Sequence, residues 1–341
     1  MESSRAVSRR VRGSRRPLLS LALASVAVVG VTAGGTVYVK AQAHSGGGPV
    51  SSAPTPSVSP SSATTTQEAA VAEPVVDFDE RLASAMRSVS VTGAAKVSVA
   101  VLDVASGDSA VHGEGAFDTA SIVKVDILAT LLLQHQKAGT SLTAQEKAYA
   151  TRMIENSDNA SASALWDAIG RAAGLDAANE KFGLTGTQGG DGALWGLTQT
   201  TAADQLTLLQ QVFGDDSDSE LSAASRSYLQ GLMKRIEADQ RWGVSAAADG
   251  SGWALKNGWL PRSTTGLWDI NSVGRVTADG HAYLVAVLSK GNATQAKGIS
   301  LVEAAARAAV SVFTGASTGA DAGASTAAVS SGSGSTAAVA R

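Results

Sequence analysis

The strand-forming stretches of this chain lie near the two ends of its foldable part, with helix-forming sequence between them. Near the front, Lys96-Val-Ser-Val-Ala-Val-Leu-Asp103 alternates and is β-branched, the pattern of a strand. Ser106-Gly-Asp108 reads as a turn into a second strand ending near His112. Strand signals return at 253–256, 270–276 and 283–288, before a last helix over 300–312. In between, Ile127, Leu128, Leu131 and Leu132 mark one apolar face of a helix that begins near Ser121 and stops at Gly139. Thr143-Ala-Gln-Glu146 is a capping box for the next helix, which ends near Asn156, and helical sequence continues to about Ile236. This order predicts an α/β fold: a mainly antiparallel sheet formed by N- and C-terminal strands, with flanking helices and an inserted all-α lobe. A substrate cleft is expected between the two lobes.

Composition divides the rest of the 341 residues. Residues 1–16 hold six arginines (Arg5, Arg9, Arg10, Arg12, Arg15, Arg16) and one acid, Glu2, and an uncharged run rich in Leu, Ala and Val follows at 17–39. A basic stretch ahead of an apolar run predicts export, with 1–16 on the cytoplasmic side. Ala41-Gln42-Ala43 suits cleavage of a signal peptide, whereas the length of the run suits a retained anchor, so 17–43 is expected to be one or the other. Ser14-Arg15-Arg16-Pro17-Leu18-Leu19 also resembles a twin-arginine signal. Residues 44–75 form a Ser/Pro/Thr-rich linker, and 315–341 a low-complexity tail. Gly315-Ala-Ser-Thr-Gly319 in that tail matches a nucleophile-elbow pattern, but without a preceding strand or following helix it reads as coincidence.

Residues 76–314 are left as the folded domain, expected to be an extracytoplasmic monomer, secreted or held at the outer face of the cytoplasmic membrane. Taking the six arginines and Glu2 from 27 basic and 30 acidic residues leaves 21 and 29, a net charge of −8, which argues against a nucleic-acid partner. The chain has no cysteine, and His44, His112, His135 and His281 lack the spacing of a zinc site, so neither metal nor cofactor is expected.

Three short strings carry the chemistry: Ser121-Ile-Val-Lys124, Ser157-Asp158-Asn159 and Lys256-Asn257-Gly258. Ser121 and Lys124, three apart, share one face of a helix, and a neutral amine there can take the serine proton. Neutrality requires burial or a cationic neighbour, and Lys256 is a candidate for the latter. A serine opening its helix also points its own N–H outward, toward a developing oxyanion. Ser-x-x-Lys alone is weak, since in a chain this rich in serine it arises by chance about once. Asp158 reads as an ordinary helix cap. Gly258 lets another backbone approach the strand, and the N–H of Trp259 is a second candidate oxyanion donor.

The order and context of these strings make the chain similar to the penicillin-recognising serine enzymes, and most of all to class A β-lactamases. The resemblance spans about Val97 to Val312 and includes Phe117-Asp-Thr-Ala-Ser121, Thr200-Thr-Ala-Ala-Asp204 and Leu232-Met-Lys-Arg-Ile-Glu-Ala-Asp239. It implies Ser121 as acylated nucleophile, Lys124 as its proton acceptor and Ser157 as the relay to the leaving nitrogen. Asn159 would bind the substrate side-chain amide, Lys256 and Asn257 its carboxylate, and Gly258 and Trp259 the strand edge and oxyanion. The implied substrate is a β-lactam, a related acyl-D-amino-acid amide or a peptidoglycan-like peptide.

The resemblance breaks in Leu184-Thr-Gly-Thr-Gln-Gly-Gly-Asp-Gly-Ala-Leu-Trp-Gly-Leu-Thr-Gln-Thr200, where the family carries the glutamate that activates the deacylating water. Asp191 is the one acid there and reads as a turn residue. Asn257 replaces the usual Thr or Ser, and Trp259 is bulky for a cleft edge. Slow deacylation is the expectation. The alternatives are a D,D-peptidase or amidase acting on cell-wall peptides, or a non-catalytic envelope binding domain. Arg262 and Arg275 are either further carboxylate ligands or surface charges.

Overall fold

The computed structural model describes residues 76–314, so the export segment, the linker and the tail lie outside the described residues. In chain order the elements are α1 (Phe78–Met86), β1 (Lys96–Asp103), β2 (Ser109–His112), β3 (Phe117–Asp118), α2 (Val123–Ala138), α3 (Ala144–Glu155), α4 (Asn159–Ala168) and α5 (Arg171–Phe182). They continue with β4 (Gln199–Thr200), α6 (Ala202–Phe213), α7 (Ala223–Met233), β5 (Trp253–Pro261), β6 (Trp268–Ala278), β7 (His281–Asn292) and α8 (Gln295–Thr314). Five strands form one antiparallel sheet in the order β2-β1-β7-β6-β5. The sheet joins both ends of the domain, as the strand distribution predicts.

Alternation along β7 sends its side chains into two cores. Leu284, Ala286 and Leu288 face the helical lobe, while Tyr283, Val285 and Val287 face α1 and α8. The sheet is therefore buried on both faces. Phe78 stacks on Phe313 at 4.9 Å between ring centroids, clasping the first helix to the last. Asp79 of α1 accepts from the Val111 amide of the edge strand β2 at 2.7 Å.

α2 departs from its expected one-faced pattern. Val123 through Leu133 are all buried, including Lys124, Asp126 and Thr130, because this helix is the hub of the lobe and has neighbours all round. Its end is as expected, with Gly139 in the left-handed region at φ 65°. Thr143 and Glu146 form the predicted capping box of α3. β5 runs past the predicted 253–256 to Pro261, so the Lys256-Asn257-Gly258-Trp259 stretch lies within the strand. That strand is an edge of the sheet.

Candidate active site

Ser121 sits in a 3₁₀ turn, Ala120–Ile122, that leads into α2 and is half-buried. The turn is held from three sides. Asn271 of β6 donates to the carbonyls of Asp118 and Thr119 at 2.9 and 3.0 Å, and the Thr119 amide donates to the Thr198 carbonyl at 2.9 Å. From the third side β5 approaches so closely that a Cβ on Gly258 would fall 2.7 Å from the Thr119 oxygen and 2.8 Å from the Ser121 nitrogen. The space that glycine leaves is thus filled by the protein's own backbone. Ala120, at φ 48°, takes up the conformational strain just before the serine.

Three turns of sequence converge below it. Lys124 is fully buried, and its Nζ donates to the Ser157 carbonyl at 2.6 Å, to Ser157 Oγ at 3.0 Å and to Asn159 Oδ1 at 2.9 Å. Lys256, also fully buried, donates to the same Ser157 Oγ at 2.9 Å and to its neighbour's carbonyl, Asn257, at 3.0 Å. One hydroxyl therefore bridges two buried amines. Among the described residues Ser121 Oγ is hydrogen-bonded to neither lysine. Ser157 is held at φ 54°, a left-handed conformation that a serine adopts only under constraint.

Two buried ammonium groups around one hydroxyl are electrostatically unfavourable. Burial brings Lys124 down from 10.5 to about 7, against the raising field of Asp158. Lys256 is pushed well below 10.5, first by burial and then by the charge of Lys124. The lowered proton affinity favours the neutral form of Lys124, the state in which an amine can accept a proton. Asp158 does what its sequence context predicts: it caps α4 by accepting from the Ser161 amide at 2.7 Å.

Strand alternation sorts the rest of the third string. Lys256 and Gly258 face the lobe, whereas Asn257 and Trp259 point to the opposite side. There Asn257 donates to the carbonyls of Gln240 and Trp242 at 2.7 and 2.9 Å, and the Trp259 ring lies 6.1 Å from that of Trp242. These contacts bear on two expectations. Both N–H groups of the Asn257 amide are engaged by backbone, which leaves none for a substrate carboxylate, and the Trp259 indole does not crowd the cleft edge. Arg262 is likewise engaged: it pairs with Asp118 and lies 3.9 Å from Asp269.

The 184–200 segment is firmly anchored despite its glycines. Asp204 accepts from the Gly186 amide at 2.8 Å, Asp176 from the Gly189 amide at 2.7 Å, and Gly192 from the Trp166 indole at 2.8 Å. Asp191 is exposed at a turn, its carbonyl accepting from the Leu194 amide at 2.9 Å. The residue that reaches the buried amine is Trp195, whose ring centroid is 5.0 Å from Lys124 Nζ. Neither Trp195 nor Asn271 stands out in the sequence, since each acquires its partner only through the fold.

The fold is that of the β-lactamase-like serine enzymes. Residues 132–313, more than half of the chain, match the profile of the Beta-lactamase enzyme family, and the chain belongs to that family. The match begins after Ser121 and Lys124. LppW of Mycobacterium tuberculosis, named as a lipoprotein, is 29% identical over 260 residues, covering 72% of this chain and 82% of its own. Among solved structures, PBP-A is similar at 21% identity and a TM-score of 0.58, covering 69% of this chain and 96% of its own. A class A β-lactamase from Bacteroides cellulosilyticus is similar at 15% identity and a TM-score of 0.58, covering 70% and 97%. These two likenesses establish the fold.

Proposed function

We propose that this protein is an exported serine acyl-transfer enzyme that opens β-lactams, or related acyl-D-amino-acid amides, through Ser121 and releases the acyl group slowly. The observation that carries the reading is the shared hydroxyl of Ser157 between two buried lysines, one of them brought to about 7. In the forward step neutral Lys124 takes the Ser121 proton as Oγ attacks the substrate carbonyl carbon. The oxyanion is stabilised by the Ser121 and Trp259 amides, whose proximity is favoured by the close packing at Gly258. As the C–N bond breaks, the Lys124 proton passes through Ser157 to the leaving nitrogen, giving the acyl-serine. A substrate carboxylate next to Lys256 would hold a proton on that amine and so favour the neutral form of Lys124. Asn159, exposed and with its Oδ1 bound to Lys124, offers its amide N–H groups to the substrate side chain.

Slow release is supported by the absence of a carboxylate from 184–200 beside Lys124, where Trp195 lies instead. A general base contributes typically 10²–10⁴-fold, so the acyl-enzyme is expected to persist. The same observation favours a second reading, a D,D-peptidase or amidase on cell-wall peptides, in which Lys124 serves both steps. The basic and apolar residues 1–39, together with a relative named as a lipoprotein, support an envelope location. The sequence holds no cysteine for a thiol-linked lipid, so the apolar 17–39 run is the candidate tether.

Intact-protein mass after exposure to penicillin G tests the proposal, with Ser121→Ala alongside. A stoichiometric adduct that requires Ser121 and decays over hours is expected. Rapid drug consumption without an adduct would mean efficient deacylation. No adduct and no consumption would exclude β-lactams. Release of D-alanine from a stem-type peptide would then identify the peptidase, and its absence would leave the non-catalytic binding domain.

A further inference from the structure

The Trp195 ring lies 5.0 Å from the buried Lys124 amine, and what holds the indole there is the helix that also holds the lysine. Asn159 and Ser163 lie four apart on α4 and therefore on one face. Asn159 Oδ1 accepts from Lys124 Nζ at 2.9 Å, and Ser163 Oγ accepts from Trp195 Nε1 at 3.1 Å. The Trp195 ring centroid then closes the circuit at 5.0 Å from Lys124 Nζ. Behind the indole, the space for a Cβ on Gly196 lies 3.9 Å from Ala120 Cα, and Thr198 is tied to Thr119. The loop carrying the tryptophan is consequently locked to the turn carrying the serine.

We propose that Trp195 is a positioning residue for Lys124: latched by Ser163, its ring holds the amine against Ser157 and Asn159 and closes the loop side of that amine to water. The part concerning the acyl-enzyme rests on the function proposed above, whereas the part concerning the free amine does not. Two consequences pull in opposite directions for the overall reaction. A dry amine loses its proton more readily, which favours acylation, because burial is the leading cause of its lowered affinity. The same closure keeps a hydrolytic water from the side on which a base would have to act, which prolongs the acyl-enzyme.

The test is a titration of Lys124 in the unliganded protein, by NMR of ¹³C-labelled lysine, comparing wild type with Trp195→Ala, Trp195→Phe and Ser163→Ala. The removal of ring cation attraction lowers an amine's affinity by less than readmitted water raises it. Trp195→Ala should therefore move the Lys124 midpoint upward by about one pKa unit. Trp195→Phe keeps a ring face and should stay near the wild-type midpoint. Ser163→Ala should shift it part of the way, and as a small change on an exposed part of α4 it serves where Trp195→Ala fails to fold. Adduct lifetime with penicillin G provides the second readout, with Trp195→Ala expected to shorten it about tenfold. An unchanged Lys124 midpoint in both Trp195→Ala and Ser163→Ala would overturn the proposal. A shifted midpoint with no Ser121 adduct in wild type would sink the proposed function and leave the positioning role standing.

Discussion

Two parts of the candidate site are built on opposite principles. The floor, made by α2, the Ser157 turn and β5, is charged, dry and strained: two fully buried lysines meet at one serine hydroxyl, and Ala120 and Ser157 sit in left-handed backbone. The 184–200 segment is uncharged where it faces Lys124, and its carboxylate contacts serve as anchors, with Asp176 and Asp204 accepting backbone amides at its base. One part gathers buried amines, the other is fixed by backbone contacts. In a two-step acyl transfer this asymmetry teaches that formation and release of the acyl-enzyme can be separated within one site. On the proposed function, backbone strain is concentrated beside Ser121 and at Ser157, and the 184–200 segment places no carboxylate beside Lys124.

Removing the floor's amine should have the largest effect. Lys124→Met is expected to slow acylation by about 10²–10⁴-fold, the range for loss of a general base, as read by the rate of adduct formation with penicillin G. In wild type that rate should rise with pH through about 7, where Lys124 gives up its proton. A rate that is flat between pH 5 and 9 would assign the base elsewhere. Next in size is the packing that sets the nucleophile. Gly258→Ala places a methyl 2.7–3.0 Å from backbone atoms of Thr119, Ser121 and Ile122, none of which can move independently of the turn. A displacement approaching 1 Å there should slow acylation about 10²-fold while leaving the fold intact by circular dichroism.

An effect of another kind, on stability, comes from the acid two residues along α2. Asp126 is fully buried, accepts from Asn179 Nδ2 at 3.1 Å, and has its Oδ1 unpartnered beside the likewise unpartnered Thr130 Oγ1 and Asn179 Oδ1. Burial is the largest cause that pushes its carboxyl from 3.8 up to about 7. The folded state therefore keeps a proton that the unfolded chain releases above about pH 4. Stability from this group is complete below pH 3.8 and is lost as pH rises through about 7. Asp126→Asn replaces the proton with a permanent donor. It should gain about 4 kcal/mol relative to wild type at pH 8 and well under about 1 kcal/mol at pH 4, by urea unfolding. An equal effect at both pH values would show that Asp126 is ionised in the fold.

The parts of this architecture that were legible in the sequence are those whose signals are local. Alternation in 96–103, the Thr143–Glu146 box, Gly139 and the Asp158 cap each depend on neighbours within a turn or a strand. The second and third motif strings meet at the Ser157 hydroxyl, beside the Lys124 amine, and the sheet joins strands from both ends of the described domain. α1 was not foreseen because its buried contacts, Leu82 and Met86, form too short a pattern without the Phe313 that stacks on Phe78. The β3–β4 pair is two residues per strand, below any readable period. The direction of Asn257 was not legible, because the motif names a residue type, whereas the pleat decides which way it points.

The smallest effect is the one that bears most directly on the contrast between the two parts. Asp191 is the sole acid of 184–200, so it is the natural candidate for a displaced deacylation base. Its surroundings argue otherwise. It is exposed, it follows Gly190 and precedes Gly192, and its carbonyl accepts from the Leu194 amide at 2.9 Å. Gly190 admits no side chain, since a Cβ would sit 2.1 Å from the Leu194 oxygen, so the turn is set by backbone fit rather than by the carboxylate. Asp191→Ala should accordingly leave the lifetime of the penicillin adduct within about twofold of wild type and stability within about 0.5 kcal/mol. If instead the adduct persisted tenfold longer in that variant, the loop would hold a working base after all. The slow step would then belong to the reach of that carboxylate rather than to its absence.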